Sequence, residues 1–248
     1  MTEFLYLLIL FGLGLIAGII NVNAGGGSTL TLPVLIFLGL DAAMANGTNR
    51  IAILLQNVFA VSSFHRQKMH NFKKSIMLAL FTLPGAITGA ILAVKISNES
   101  FQRVLAFVMF GIVVTMFFSR SNEKYQHNAT KTSWLVYPAL FIIGFYGGFI
   151  QLGVGFLLMA ALYHLLKISL VHVNMHKVFI VLLYTLPALG IFIWTGNVNW
   201  GYGFSLAAGT SFGAWWGARI AVKGGEKVIR YFLAIAIILM AVKLLGVF

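Results

Sequence analysis

The 248 residues contain no cysteine. Disulfides, thiolate nucleophiles and cysteine-held metals or iron–sulfur clusters are thereby excluded, and the redox compartment is left open. Acid is nearly as scarce. The five carboxylates, Glu3, Asp41, Glu99, Glu123 and Glu226, fall in loops or at the ends of apolar segments, so none is left for the centre of a membrane. Cation pumps and proton antiporters ordinarily rest on such a group, which disfavours both. An intramembrane protease would need an acid pair, a metal set or a nucleophile beside its base, and none is visible. Only 9% of the residues are charged, against about a quarter in soluble domains. What is present is apolar: 60% hydrophobic residues and a mean hydropathy of +0.95. The chain reads as an all-α integral membrane protein, with room for about eight spans of about 20 residues each.

Lys and Arg number 17 against five acids, a net charge of +12. In a membrane protein this excess belongs first to cytoplasmic loops rather than to nucleic acid. The first residues carry Glu3, no base and no small-residue cleavage site, so the first apolar segment is expected to stay as an anchor. Trp134, Trp194, Trp200, Trp215 and Trp216 lie near segment ends, as interfacial anchors do.

Two apolar segments, 30–40 and 154–166, are too short to span, and each follows a glycine break at the same place in its half of the chain. Laying the halves over one another puts Gly14 on Gly144, Gly18 on Gly148, Asn21 on Gln151 and Gly25 on Gly155. Asn46 then falls on Asn174, Gly85 and Gly89 on Gly209 and Gly213, and Lys95 on Arg219. The expected organisation is a repeat at 1–120, a basic connection at 121–133 and a second repeat at 134–248. Each repeat would be a glycine-broken opening segment, re-entrant or split, followed by three transmembrane helices.

Loop charge decides how the repeats lie. With four simple spans per half, Arg66, Lys68, Lys73, Lys74, Arg120, Lys124 and Lys131 oppose Lys95, Arg103, Lys167, Arg219, Lys223, Lys227 and Arg230, seven against seven. If each opening segment instead enters and leaves on one face, only Lys95 and Arg103 lie outside and twelve bases lie inside. The positive-inside bias selects the second arrangement, with inverted repeats and outward-facing chain ends.

Candidate chemistry sits where apolar runs are interrupted. Asn23, Gly25, Gly26, Gly27, Ser28 and Thr29 form a break before a short helix, where main-chain N–H groups and the helix start can hold an anion. Gln151, Gly153 and Gly155 form its counterpart. Thr48, Asn49 and Arg50 follow in the first half, and Asn174, His176 and Lys177 in the second. Cations at such depth are costly and point to function, although Lys177 could also snorkel to the headgroups. His172 and His176 are four apart on one helix face but have no third metal ligand in reach, and no metal or cofactor is expected. The basic stretch from His65 to Lys74 is expected to meet anionic lipid.

The run Gly14-x-x-x-Gly18, the triplet within Asn23 to Thr29, Pro33-Val-Leu, Gly39-Leu, Ala45-Asn-Gly-Thr48 and the basic turn His65 to Asn71 resemble the TauE/SafE family of membrane permeases. The resemblance covers nearly the whole chain. It implies a multi-pass inner-membrane exporter of sulfite, thiosulfate or a sulfonate such as sulfoacetate. The second break departs from the family's glycine-rich form at Gln151 and Val154. The expected partners are a small anion, membrane lipid and a second copy of the chain. Rival readings from the residues alone are a membrane enzyme for a lipid phosphate and a non-catalytic scaffold.

Overall fold

The structure is a computed structural model and describes residues 2–104, 107 and 133–244. The connection expected at 121–133 lies, Ser133 apart, outside them. Among the described residues every regular element is a helix. The first four are α1 (Thr2–Asn23), α2 (Ser28–Phe37), α3 (Ala42–Arg66) and α4 (Phe72–Lys95). After the undescribed stretch come α5 (Val136–Phe149), α6 (Val154–Leu166), α7 (Leu170–Trp194) and α8 (Trp200–Leu244). A non-helical backbone at Gly225 kinks α8.

Helices are the expected answer in lipid, where main-chain groups must bond within their own segment. Among the described residues three are long and apolar enough to cross a membrane: Glu3–Asn23, Phe72–Lys95 and Leu170–Trp194. The chain is a multi-pass membrane protein. The 25 residues of α3 would extend about 37 Å at 1.5 Å per residue, but the buried ones include Asn46, Thr48, Asn49, Arg50, Gln56, Asn57 and Ser63. The short apolar helices α2, α5 and α6 have 10, 14 and 13 residues, about 15–21 Å each, too short to cross a core of about 30 Å alone.

Glycine sets two of the closest helix contacts. Gly14 and Gly18 of α1 face Gly209 and Gly213 of α8, and Gly85 and Gly89 of α4 face Gly144 and Gly148 of α5. A Cβ on Gly18 would stand 2.3 Å from the Thr210 carbonyl oxygen, and one on Gly89 2.1 Å from that of Phe145. Backbones this close replace side-chain interdigitation with direct main-chain packing, the usual adhesive between membrane helices. Each contact joins the opening helix of one half to the fourth helix of the other.

The connections gather at two ends of the bundle. At one, the Ser133 N–H donates to the Leu165 carbonyl (3.2 Å), so α5 starts where α6 finishes. At the same end the Ser63 hydroxyl reaches the Trp215 carbonyl (3.0 Å), and Arg66 and Arg219 lie over the Trp215 ring at 5.0 and 5.1 Å. At the other end the Ala42 N–H donates to Asn98 Oδ1 (2.8 Å) and the Asn199 N–H to Thr48 Oγ1 (2.9 Å). Trp134, Trp194, Trp200 and Trp216 are exposed on the outer surface, and Trp215 serves the two arginines.

Candidate functional site

The two breaks meet. A Cβ on Gly25 would lie 2.3 Å from the Gly155 carbonyl carbon, and one on Gly155 2.3 Å from Gly25 Cα, so only glycine permits the crossing. Gly25 has φ +86°, a left-handed turn that ends α1. Ser28 ties the breaks together: its hydroxyl donates to the Gln151 carbonyl and accepts from the Gly153 N–H, both at 3.1 Å. Within the first break the Gly27 N–H donates to Asn21 Oδ1 (3.2 Å). Two of the amides expected to face an anion are therefore bonded to side chains. Gln151 holds a left-handed φ of 63°, an uncommon conformation for a residue with a side chain, and is fully enclosed.

The end of a helix broken inside the protein leaves carbonyls that need donors. Here each half supplies them to the other. Arg50 of α3 is 0% exposed. Its guanidinium donates to the Gly147 carbonyl (3.2 Å), to the Gly148 carbonyl and to Gln151 Oε1 (3.0 Å), and lies 4.7 Å from the centre of the Phe192 ring. Lys177 of α7 is 2% exposed. Its ammonium donates to the carbonyls of Asn21 (3.0 Å) and Val22 (2.7 Å) and to Asn174 Oδ1 (2.9 Å). The lysine thus turns inward and does not snorkel. Asparagines complete the exchange: Asn46 donates to the Phe149 carbonyl (2.7 Å) and Asn174 to that of Asn23 (3.4 Å).

The electrostatic balance is uneven. Two side-chain cations are enclosed, and no carboxylate is buried among the described residues. With both side chains ionised, the two helix C-termini, each roughly −0.5 of a charge, offset about half of the pair's positive charge.

Other predicted residues divide into those drawn to this centre and those held elsewhere. Asn49 accepts from the Thr31 hydroxyl (2.7 Å), while its amide nitrogen has no protein partner. Asn23 bonds the Ile19 and Gly217 carbonyls, and Gly26 lies under the Phe156 ring. Thr29 bonds back to Gly26 (2.6 Å), and Thr48 serves the end connection at Asn199. His176 faces away from Lys177, with Nδ1 2.7 Å from the Ser75 hydroxyl. Between the breaks lies a cleft of about 10 Å³ lined by the polar Asn21, Ser28, Asn57, Gln151 and Lys177 and by Ile53, Val154, Gly155 and Val181, room for about one water. Sequence reasoning missed Asn57, Gln56 and Tyr184. Gln56 is buried with its amide nitrogen unpartnered, and the Tyr184 hydroxyl accepts from Gln151 Nε2 (3.1 Å). A second cavity, of about 350 Å³, opens at the basic end between residues 68–74 and 168–176.

Broken helices meeting inside a multi-pass bundle, with polar groups converging at the break, are the architecture of a membrane transporter. The sequence profile of the sulfite exporter TauE/SafE family matches residues 10–244, and the chain belongs to that family. It is 29% identical over 240 residues to a probable membrane transporter protein, ORF9, of Sinorhizobium sp, covering 96% of this chain and 91% of that one. A probable membrane transporter protein of Haemophilus influenzae is 28% identical over 240 residues, covering 96% and 94%. The protein YfcA of Escherichia coli K12, also described as a probable membrane transporter, is 27% identical over 248 residues, covering 99% and 91%. No solved structure matches the chain.

Proposed function

We propose that the protein carries a small sulfur-containing or organic anion (sulfite, thiosulfate or a sulfonate such as sulfoacetate) out across the inner membrane, binding it where the two breaks cross. The observation that carries this reading is the enclosed pair Arg50 and Lys177, with no buried carboxylate among the described residues to balance it. A single anion would neutralise the charge left over by the helix caps. The unpartnered donors Asn49 Nδ2, Arg50 Nε and Gln56 Nε2 all belong to α3 and supply hydrogen bonds that such an anion can accept.

The cleft holds about one water, so a larger anion binds only when the breaks part. Parting them loosens the Gly25–Gly155 contact and the Ser28 bonds, and it draws on the reciprocal caps, because each cation belongs to one half and bonds a helix end of the other. That is rocking of one half against the other, the movement expected of inverted repeats. The inverted arrangement is supported by the hairpin of α5 and α6 and by the reciprocal capping. The end bearing Arg66, Lys68, Lys73, Lys74, Lys167 and Arg219 is then cytoplasmic. A negative interior drives a monovalent anion outward with roughly 2.3 kcal/mol per 100 mV, enough for export without a coupling ion.

The test is flux from proteoliposomes loaded with sulfite, thiosulfate, sulfoacetate, taurine or acetate, with a potassium diffusion potential of either sign. Efflux of a sulfur oxyanion or sulfonate that accelerates when the compartment facing the basic end is negative is the expected result. Equal rates at both polarities, or no flux of any of the five, would remove the proposal.

A further inference from the structure

The cavity at the basic end is large, and the charged groups among the described residues of its lining share one sign. Its volume of about 350 Å³ falls within the range of small-ligand sites. The polar lining is Lys68, His70, Asn71, Lys74, His172 and His176, two ammonium groups, three imidazoles and an amide, with no carboxylate among the described residues. They come from the α3–α4 connection, the first turn of α4 and the first two turns of α7, so the cavity exists only because both halves meet there.

The lining is ordered by its own contacts. The His70 ring stacks on Phe72 at 5.2 Å and packs against His65 at 4.7 Å. Ser75 Oγ and Ser169 Oγ lie 2.7 and 2.8 Å from Nδ1 of His176 and His172, which fixes both rings. Asn71 Oδ1 caps α4 through the Lys74 N–H (3.2 Å). Two helices of 24 and 25 residues begin at the cavity, and their positive ends add to the field. On α7, His176 lines this cavity while its neighbour Lys177 lines the central cleft.

We propose that this cavity is a second anion site, an antechamber that takes a tetrahedral oxyanion of the sulfate or phosphate type, either free or as the phosphate of a lipid headgroup. As a binding site it stands by itself. As a loading station for the central cleft it rests on the transport reading above.

Because the chain has no cysteine, a single introduced thiol reports on the cavity without background. Met69 lines it and is half-buried. The Met69→Cys protein, checked for folding by size exclusion and thermal melting, is treated with a sulfonate-bearing and a quaternary-ammonium methanethiosulfonate. Clefts of one sign raise the local counter-ion concentration by 10-fold or more, so the sulfonate reagent is expected to react about tenfold faster, and Lys68→Gln with Lys74→Gln to bring the ratio near one. Added sulfate or phosphate should slow the reaction in dodecyl maltoside, which carries no phosphate, if the occupant is a free anion. Phosphatidylglycerol nanodiscs alone should slow it if the occupant is a lipid phosphate. Ile168→Cys, also in the lining, replaces Met69→Cys if that variant does not fold. Equal rates for the two reagents, a preference that survives the double lysine change, or no protection by sulfate, phosphate or phosphatidylglycerol would each overturn the proposal. Sulfite flux in vesicles is measured on the same proteins. Flux without protection removes the antechamber and keeps the transporter; protection without flux does the reverse.

Discussion

Replacing Arg50 by Gln removes one of the two enclosed cations while keeping a shorter, neutral polar side chain. For scale, a unit charge is placed about 7 Å from the guanidinium, roughly one water beyond direct contact. At an effective dielectric of about 20 the attraction is about 2.4 kcal/mol, a loss of about 50-fold in affinity. The change also strips donors from the Gly147 and Gly148 carbonyls, and an unpaired buried group costs about 1–3 kcal/mol. Arg50→Lys separates the two effects, since it keeps the charge and loses only the fork. Anion-dependent thermal stabilisation in detergent reads the affinity by mass action, and the melting point without anion reads the packing. The expected order of affinity is Arg50, then Lys within about tenfold, then Gln about 50-fold weaker. A Gln variant that binds sulfite or sulfoacetate as tightly as the native protein would refute the electrostatic reasoning. A Lys variant as weak as Gln would assign the effect to the cap.

Gly18→Val places carbon against the Thr210 carbonyl and should destabilise the α1–α8 contact by at least about 1–3 kcal/mol, whereas Gly12→Ala, with nothing within 4 Å of its Cβ, should melt like the native chain. Gly155→Ala pushes on Gly25 and should hold the breaks apart; a Ser28→Cys thiol is then labelled severalfold faster, and unchanged labelling would contradict the crossing. Asn57→Leu fills the cleft with an apolar side chain while costing one bond within its own helix, from Asn57 Nδ2 to Ile53 (2.6 Å); transport should fall at least tenfold with the melting point nearly unchanged, as measured by flux and differential scanning fluorimetry. Trp215→Leu removes the platform under Arg66 and Arg219 and should lower stability by about 1–2 kcal/mol from two partly exposed cation–π contacts.

Much of the helical framework was legible because apolar length is a strong signal in lipid. The run from Ala42 to Phe64 became α3, and the short runs after each glycine break became α2 and α6. Arg50 stood out because a cation deep in an apolar run needs a reason. Its actual partners were not legible, since carbonyls 97 and 98 residues away leave no mark on local spacing. Gln56 and Asn57 were hidden as a lone polar pair in an apolar run. Counting seven from Asn49 and Arg50 would have placed them on the same helix face. His176 and Lys177 were grouped as neighbours in sequence, although adjacent helical residues do not face one another. Thr29 and Thr48 looked like site residues because hydroxyls near a break can bind ligand or backbone, and here both bind backbone.

The mutual capping of helix ends bears on how the chain is made. Arg50 is synthesised 97 residues before its acceptor at Gly147, roughly 5–20 s at ordinary elongation rates. During that interval the guanidinium must be sheltered by lipid phosphate, by water or by the insertion machinery. Asn21 and Val22 wait longer still, because Lys177 lies 156 and 155 residues downstream. Each half takes side-chain donors for its broken helix end from the other, so a chain stalled between them keeps those carbonyls without their native side-chain partners.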